Sequence, residues 1–385
     1  MRNTDLLYKY NNSSDKKYYF DQVSKSMIFE FEDKILNGIT IKRILGSISN
    51  FKKKYQFIKV PIILYFPYLG LRIADKLSYM VLECICYSII NEYHTKVQIL
   101  WKPEENIFTL GVKSSPLLLL NNTKMASVLK FPIKFEMDIY QNHYRRVIGD
   151  KQKRDGNYLG ILCTEVSSFL KFFDISEEYR EEIAEVIVEL TGNACEHTNS
   201  DCLVDIDVTS DHSKMDEGKT IEGFYYGVNI VIMNFSEQLV GDDLRKKIID
   251  KQITEKRYAE VMKAYINHQS KFSELYDETD FFNIAVYQDK ISGRENKISS
   301  GGTGLTLLIK TLERQSDISM CYMQSGNKAV FFNEHLLDYD ENGWIGFNKE
   351  NSFLNDIPDT ECIGRSPVYF PGTAYNLHFV MKREV

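Results

Sequence analysis

Glu189 and Asn193 are the two residues whose types and spacing point most directly to chemistry. They lie four positions apart in the segment Glu189-Leu-Thr-Gly-Asn193-Ala-Cys-Glu196-His197, so a helix would place them one turn apart. The carboxamide oxygen is a hard ligand for Mg²⁺, and the carboxylate can orient or deprotonate a water that attacks a phosphate. The pair alone also fits an amphipathic helix whose polar rim happens to contain Glu and Asn.

A glycine-rich turn further along the chain supplies a second candidate. In Ser300-Gly301-Gly302-Thr303-Gly304-Leu305, the glycines would let backbone N–H groups approach phosphates closely. A helix that starts there would add partial positive charge at its N-terminus. The same sequence could equally be a tight loop with no ligand. Ser292 and Arg294, just before this turn, would either reach a nucleotide or lie in a solvated loop.

The segments around these motifs predict a helix, two strands, a long polar stretch, the glycine turn with a short helix, and a last strand. The first helix has acidic residues in its first turn and an apolar stripe at helical spacing. Strand-like runs follow at residues 203–208 and 227–233, and the second run ends at Asn234. The last strand, residues 370–379, begins with Gly372-Thr373 and completes a sheet.

In this combination the chain resembles the GHKL (Bergerat-fold, histidine-kinase-like) ATPases over residues 157–385. Glu189-x-x-x-Asn193 is similar to their N-box, residues 301–304 to their phosphate-binding loop, and Gly372-Thr373 to their closing strand. The resemblance implies that Asn193 binds Mg²⁺ and that Glu189 is the catalytic base or orients the attacking water. Glu196 and His197 would be structural or peripheral. The ATP-binding residues that it implies are Asn193, Asn234, Gly301, Gly302, Thr303, Gly304 and Thr373.

Three departures from the family pattern affect these expectations. Asn234 stands where the family has an Asp that accepts a hydrogen bond from the adenine amino group. An Asn could still accept that bond, or it could donate to guanine, so the base preference stays open. Thr306 replaces a glycine after the phosphate loop. The lid, residues 235–299, is long, and residues 333–369 form an added segment, which suits gating or contact with a partner.

The front part of the chain predicts alternating strands and helices. Residues 27–31 and 60–66 are strand-like, residues 40–53 and 73–93 are helical, and residues 96–101 and 107–112 again suggest strands. This order resembles a STAS domain, the fold of anti-sigma-factor antagonists, over residues 25–115. The family's phosphorylated serine loop is absent, because Leu71-Arg-Ile-Ala-Asp75-Lys contains no serine.

These patterns predict a mixed α/β fold of the α+β sandwich type. A smaller STAS-like domain, residues 25–120, would follow a polar tail, residues 1–24. Residues 121–156 would be a linker region with a short strand near residues 131–135. Residues 157–385 would form a Bergerat-type mixed sheet with helices on one face.

Composition limits the class of protein. A chain of 385 residues with 43% hydrophobic and 26% charged residues can bury a core and suggests two domains. The net charge of −7 and scattered basic runs argue against nucleic-acid binding. Seven cysteines without a C-x-x-C pair, and the lack of a leader or an uninterrupted apolar span, predict a cytoplasmic protein that does not bind membranes.

Three functions follow as hypotheses. The first is an ATP-binding regulatory protein with slow Mg²⁺-dependent hydrolysis that switches a lid or a protein partner; bacterial regulation, stress response and phage defence fit such a protein about equally. The second is a protein-serine/threonine kinase similar to the anti-sigma-factor kinases. The third is a degenerate interaction module that no longer holds nucleotide. The GHKL resemblance also makes a homodimer the default expectation.

Overall fold

The structure is a computed structural model of the chain. It describes residues 1–12, 17–55, 59–105, 107–121, 124–196, 200–216, 219–250, 255–291, 304–315 and 321–383. Within these residues the helices and strands form two sheets with packed helices, so the mixed α/β class is confirmed. None of the described helices is both long enough and apolar enough to cross a membrane.

The first sheet belongs to the front unit, which we define as residues 1–136. Strands β1 and β2 pair antiparallel, whereas β4 pairs parallel with β2, β3 and β5. Its strands are β1 (Tyr18–Asp21), β2 (Ser26–Glu30), β3 (Ile35–Leu36), β4 (Ile62–Ile73) and β5 (Val97–Pro103). Its first three helices are α1 (Asp5–Tyr10), α2 (Gly38–Lys54) and α3 (Lys76–Asn91).

Side chains that cap the helices explain where α2 and α3 begin. The Asn37 side chain accepts hydrogen bonds from the Ile39 and Thr40 amides, and Asp75 accepts one from the Ser78 amide at 2.7 Å. Each cap satisfies amides that have no partner within the helix. Nearly every residue of α3 is buried, as the apolar composition of this helix predicts.

The residues after β5 correct two expectations. Helix α4 (Ile107–Ser114) occupies a segment predicted as a strand, and α5 (Met125–Glu136) occupies the predicted short strand near residues 131–135. The chain then enters β6 (Met137–Tyr140) and β7 (His143–Ile148), which belong to the second sheet. Residues 121–156 are therefore not a linker, because their strands extend the sheet of the back unit, which we define as residues 137–383.

The back unit is built on a six-stranded sheet in the order β10-β11-β9-β8-β7-β6. All five strand pairs are antiparallel, so the expected mixed pairing occurs in the front sheet and not here. The remaining strands are β8 (Cys202–Asp216), β9 (Lys219–Asn234), β10 (Tyr322–Phe331) and β11 (Ile363–Lys382). The helices are α6 (Asp150–Lys153), α7 (Tyr158–Leu170), α8 (Glu177–Glu196), α9 (Asp242–Arg245), α10 (Lys256–Gln269), α11 (Glu278–Ala285) and α12 (Gly304–Gln315).

Both faces of the back sheet are covered. One face packs Val204, Ile206 and Ile230 into a core with α7, α8 and α12. The opposite face places Leu203 and Val231 in the core of the front unit. The back sheet is thus the middle layer between its own helices and the front unit, and we call the second face its front-facing side.

The N-terminal residues are also part of the packed structure. Leu7 of α1 is fully buried, and Asn11 donates a hydrogen bond to the Tyr369 carbonyl at 2.7 Å. Arg2 forms an ion pair with Asp201, with 2.8 Å between its Nε and the carboxylate. The expectation of a polar tail is therefore wrong for residues 1–12.

The described part of the expected lid packs against the segment that precedes the last strand. His268 of α10 contacts the Phe353 carbonyl at 2.9 Å, and Gln288 donates to the Ile345 carbonyl at 3.0 Å. These contacts join residues 255–291 to residues 333–362 in one subdomain. Large apolar side chains from both segments lie in its core, namely Phe281, Phe282, Tyr287, Trp344, Phe347 and Phe353.

Candidate functional site

Glu189 lies on a cleft between α8 and α12. The cleft has a volume of about 570 Å³, within the range of small-molecule sites. Helix α12 begins at Gly304, so the sequence-predicted helix after the glycine turn does lie beside the helix that carries Glu189. The side chains that line the cleft are Cys163, Glu185, Val188, Glu189, Asp289, Thr306, Leu307 and Lys310.

Helix α8 presents Glu189 to this cleft because its opposite stripe is apolar. Ile183, Ile187 and Leu190 are buried against the sheet, as their helical spacing predicts. Thr311 of α12 donates a hydrogen bond to the Glu182 carboxylate at 3.0 Å, in a buried position. This hydrogen bond joins the two helices and fixes the distance between them.

The charges that line the cleft are mostly negative. Glu185, Glu189 and Asp289 supply three carboxylates, and Lys310 supplies one ammonium group. Carboxylate oxygens are the donors that Mg²⁺ prefers, and the ion usually takes only one or two from the protein. Among the described residues, no three His, Cys, Asp or Glu side chains form a ready metal site.

Asp289 was missed by the sequence interpretation, and the segment at residues 333–369 positions it. The Asp289 amide donates to the Gly343 carbonyl at 3.1 Å, and its carboxylate accepts a bond from Thr306 at 3.3 Å. Arg257 donates to the Asp289 carbonyl at 3.0 Å while its guanidinium stacks on Trp344. The added segment thus reaches the cleft through backbone contacts, which no local sequence pattern reveals.

Asn234 and Thr373 come together at the other end of α8. The two residues are directly paired between β9 and β11, and the Asn234 Oδ1 accepts a hydrogen bond from the Thr373 amide at 3.1 Å. The Asn234 Nδ2 donates to the Ser200 hydroxyl at 3.2 Å and to the Ala194 carbonyl at 3.5 Å. The residue expected to contact the base is buried and uses both of its polar atoms within the protein.

Gly372 explains why β11 can approach Asn234 so closely. Its φ of +96° is a conformation that favours glycine, and an added Cβ would lie 2.5 Å from the Asn234 carbonyl oxygen. The Gly-Thr pair of the last strand therefore has a clear packing role.

Several predicted site residues lie outside the described residues or at their limits. Those outside the described residues are His197, Ser292, Arg294, Gly301, Gly302 and Thr303. Gly304 is the first residue of α12, and Glu196 is the last residue of α8. Asn193 lies on α8, one turn beyond Glu189, and is half-buried.

A buried cluster of charges on the front-facing side of the back sheet was also missed. Lys76, at the start of α3, contacts Asp205 at 2.7 Å and also contacts Asp207. Arg145 contacts Glu83 of α3 and Asp205, each at 2.5 Å. We call these five residues together with His143 the buried ionic cluster. It joins α3 of the front unit to β7 and β8 of the back unit.

Electrostatics within this cluster favour the charged forms of its basic groups. Burial opposes the charge on Lys76, but Asp205 and Asp207 outweigh it and raise the pKa of Lys76. Burial likewise opposes ionisation of Asp205, yet Arg145 and Lys76 hold its pKa well below the usual value. Burial raises the pKa of Glu83. In the sequence, polar and apolar residues alternate along β7 and β8. That pattern by itself predicts that the polar face of the strands is exposed to solvent.

Comparison of the chain with protein-family models, curated proteins and solved structures finds no match.

Proposed function

We propose that this chain is a nucleotide-binding regulatory protein of the GHKL type that hydrolyses ATP slowly with Mg²⁺. The observation that carries the proposal is the position of Glu189 on a cleft beside the start of α12. A carboxylate there has the chemistry to orient or deprotonate water next to a bound phosphate.

The cleft charges explain why the nucleotide would bind with a metal. Three carboxylates against one lysine repel the phosphates of a free nucleotide. Asn193, one turn beyond Glu189 on α8, offers a carboxamide oxygen that would be a suitable ligand for Mg²⁺, and the ion would neutralise phosphate charge when bound. Lys310 would attract the phosphates directly, and Glu189 would position the water. Binding would therefore be weaker in EDTA than in Mg²⁺.

The regulatory part of the proposal comes from the subdomain that contacts the cleft. The Gly343 carbonyl accepts the Asp289 amide, and Arg257 donates to the Asp289, Asn342 and Gly343 carbonyls, so a partner that moves this loop would alter the cleft. Hydrolysis would in turn change the negative charge of the phosphates that lie near Asp289 and Lys310. The expected partner is a protein that contacts the subdomain formed by residues 255–291 and 333–362.

A second candidate, the interaction module without nucleotide, is favoured by Asn234. Its carboxamide is buried and bonded to Thr373, Ser200 and Ala194, so no polar atom is directed at a base. In that case the cleft would serve protein contacts only.

Incubation with γ-labelled ATP and Mg²⁺, followed by separation of free phosphate, labelled protein and unreacted ATP, tests these alternatives. Free phosphate supports the proposal, whereas label on the protein indicates a kinase. No product, together with no heat of binding at millimolar ATP with Mg²⁺, rejects the proposal and favours the interaction module.

A further inference from the structure

Residues 1–12 of the front unit, which include α1, also contact the back unit, and we call them the strap. Within the front unit, Tyr8 of the strap lies against Lys52 of α2, with 3.4 Å between the lysine nitrogen and the ring centroid. Leu7 of the strap is fully buried in the core of the front unit. The strap is therefore packed on the front unit through apolar and aromatic side chains.

The strap contacts the residue just before β8 and the residue just after β9. The Arg2 Nε lies 2.8 Å from the carboxylate of Asp201, which precedes β8. The Asn3 side chain donates a hydrogen bond to the Phe235 carbonyl at 3.2 Å, and Phe235 directly follows Asn234. Both contacts therefore lie close to Asn234 along the chain.

A third set of contacts joins the strap to β11. The Asn11 side chain donates to the Tyr369 carbonyl at 2.7 Å and accepts from the Tyr369 amide at 2.8 Å. The ring of Tyr10 stacks on that of Tyr369, with 4.6 Å between the centroids. Four residues further along β11, the Thr373 amide donates to Asn234. The strap thus contacts all three segments that meet at Asn234.

The closed strap buries the amine of Lys52. Its Nζ lies 3.4 Å from the ring centroid of Tyr8 and 3.5 Å from that of Tyr93, which follows α3. The Nζ is buried, and none of the described residues accepts a hydrogen bond from it. The two ring faces attract a cation, but they do not replace its hydrogen bonds to water. A protonated Lys52 therefore opposes the closed strap, because opening would return its charge to water.

The groups that face Lys52 come from α1 and from the end of α3. Burial lowers the pKa of Lys52 from its ordinary value of 10.5 to about 7, although Glu92 and Asp5 partly oppose this shift. Burial raises the pKa of Tyr8 and of Tyr93 above 10, so both rings stay neutral at pH 9. Burial also raises the pKa of Glu92. Between pH 7 and pH 9, Lys52 is therefore the group that links closure of the strap to pH.

We propose that the strap opens as a unit, that Lys52 takes up a proton when it opens, and that opening loosens the segments around Asn234. Lys52 would hold its proton up to a pH near 10.5 in water but only to about 7 in the closed strap, so opening takes up a proton between these values. The closed strap is thus least stable below about pH 7 and gains stability as the pH rises above it. This proposal does not depend on ATP binding.

Hydrogen exchange followed by mass spectrometry tests the proposal on the full chain. The amides of Leu6, Leu7 and Asn11 are hydrogen-bonded in the closed strap, so they exchange when it opens. Their protection, relative to an unstructured peptide at the same pH, should rise roughly 50-fold from pH 7 to pH 9. The Thr373 amide, which donates to Asn234, should gain protection over the same range.

Variants separate the proton uptake from the other contacts of the strap. Lys52→Met removes the charge and keeps an unbranched side chain, so it should raise the protection of α1 at pH 7 and abolish its dependence on pH. Lys53→Met, at the next and exposed position of α2, is the matched control and should behave as the parent. Arg2→Gln should lower the protection of α1 at every pH but keep the pH dependence, because it removes a contact to Asp201 and leaves Lys52 in place.

Three results would overturn the proposal. The first is an equal pH dependence of α1 protection in Lys52→Met and in the parent. The second is α1 exchange in the parent at pH 7 that is no faster than exchange in α7, because the strap would then not open separately. The third is a Thr373 amide whose protection stays constant while that of α1 changes.

Discussion

The Asn234 carboxamide oxygen accepts a hydrogen bond from the Thr373 amide at 3.1 Å, while its nitrogen donates to groups at the end of α8. One buried side chain therefore connects α8, β9 and β11. The position at which the GHKL resemblance implies a base contact is, in this chain, a structural junction.

Replacing Asn234 with Asp tests this junction. Asn234→Asp removes both donors and places a carboxylate opposite the Ala194 carbonyl, so we expect a loss of about 1–3 kcal/mol in the free energy of unfolding. Urea denaturation measures it, and Asn121→Asp, at an exposed position, is the control. An Asp variant that is as stable as the parent and binds ATP more tightly would instead identify residue 234 as a base contact.

Gly372 gives a second test at the same place. Gly372→Ala introduces a Cβ against the Asn234 carbonyl at a φ of +96°, and we expect it to destabilise the fold by roughly 1–3 kcal/mol. Gly156→Ala is the matched control, because an added Cβ there meets no atom within 4 Å. Equal melting temperatures for the two variants would show that β11 does not approach β9 as described.

The buried ionic cluster predicts a large effect for one lysine. Lys76→Met leaves Asp205 and Asp207 without their shared ammonium partner, and removing one member of a buried ion pair typically costs about 3–5 kcal/mol. Chemical denaturation of the full chain measures this loss.

The control for Lys76 is Lys113, whose ion pair with Glu105 is exposed to solvent. Lys113→Met should leave the unfolding midpoint close to that of the parent, because exposed pairs contribute little. A Lys76→Met variant as stable as Lys113→Met would contradict the assignment of Asp205 and Asp207 as buried charges.

Two buried histidines should give pH dependences of opposite sign. Burial opposes charge on His143, but Asp205 and Asp138 outweigh burial and the repulsion from Arg145, and they raise the pKa of His143 above 6.5. Its stabilising contribution is thus complete below pH 6.5 and is lost as the pH rises through the raised value. Burial lowers the pKa of His268 to about 4, so its contribution is complete above pH 6.5 and is lost as the pH falls toward 4.

Denaturation from pH 4 to pH 9 checks both signs. The free energy of unfolding of the parent should fall as the pH rises, and this fall should be smaller in His143→Gln. It should also fall as the pH drops toward 4, and this second fall should be smaller in His268→Gln. The His268 ring is neutral in this assignment, with Nε2 donating to the Phe353 carbonyl at 2.9 Å and Nδ1 facing the Tyr276 hydroxyl at 2.6 Å. A histidine NMR titration that places the pKa of His268 above that of His143 would contradict the assignment.

Much of the fold could be predicted from local pattern. The long apolar helix became α3, the stripe of Ile183, Ile187 and Leu190 became the buried face of α8, and the strand ending at Asn234 became β9. Each of these segments is long enough for the spacing of its apolar residues to distinguish a helix from a strand. Short apolar runs were ambiguous, so residues 107–112 and 131–135 were predicted as strands although they are helical.

The remaining features depend on contacts between distant parts of the chain. Asp205 and Asp207 alternate with apolar residues as on a solvent-exposed strand face, but α3 covers them and supplies Lys76. Asp289 enters the cleft because the distant residues Gly343 and Arg257 bind its backbone. Neither pairing is encoded in the spacing of nearby residues. Of the predicted site residues, Glu189 lines the cleft, together with Thr306, Leu307 and Lys310 of α12.

The rate of phosphate release from γ-labelled ATP with Mg²⁺ measures the catalytic role that we propose for Glu189. Glu189→Gln keeps the size and polarity of the side chain but removes its basicity. Glu185→Gln, one turn earlier on α8 and on the same cleft, is the matched control. We expect Glu189→Gln to release phosphate at least about 100-fold more slowly while it still binds ATP, and Glu185→Gln to stay near the parent rate. Equal rates for Glu189→Gln and the parent would contradict this role.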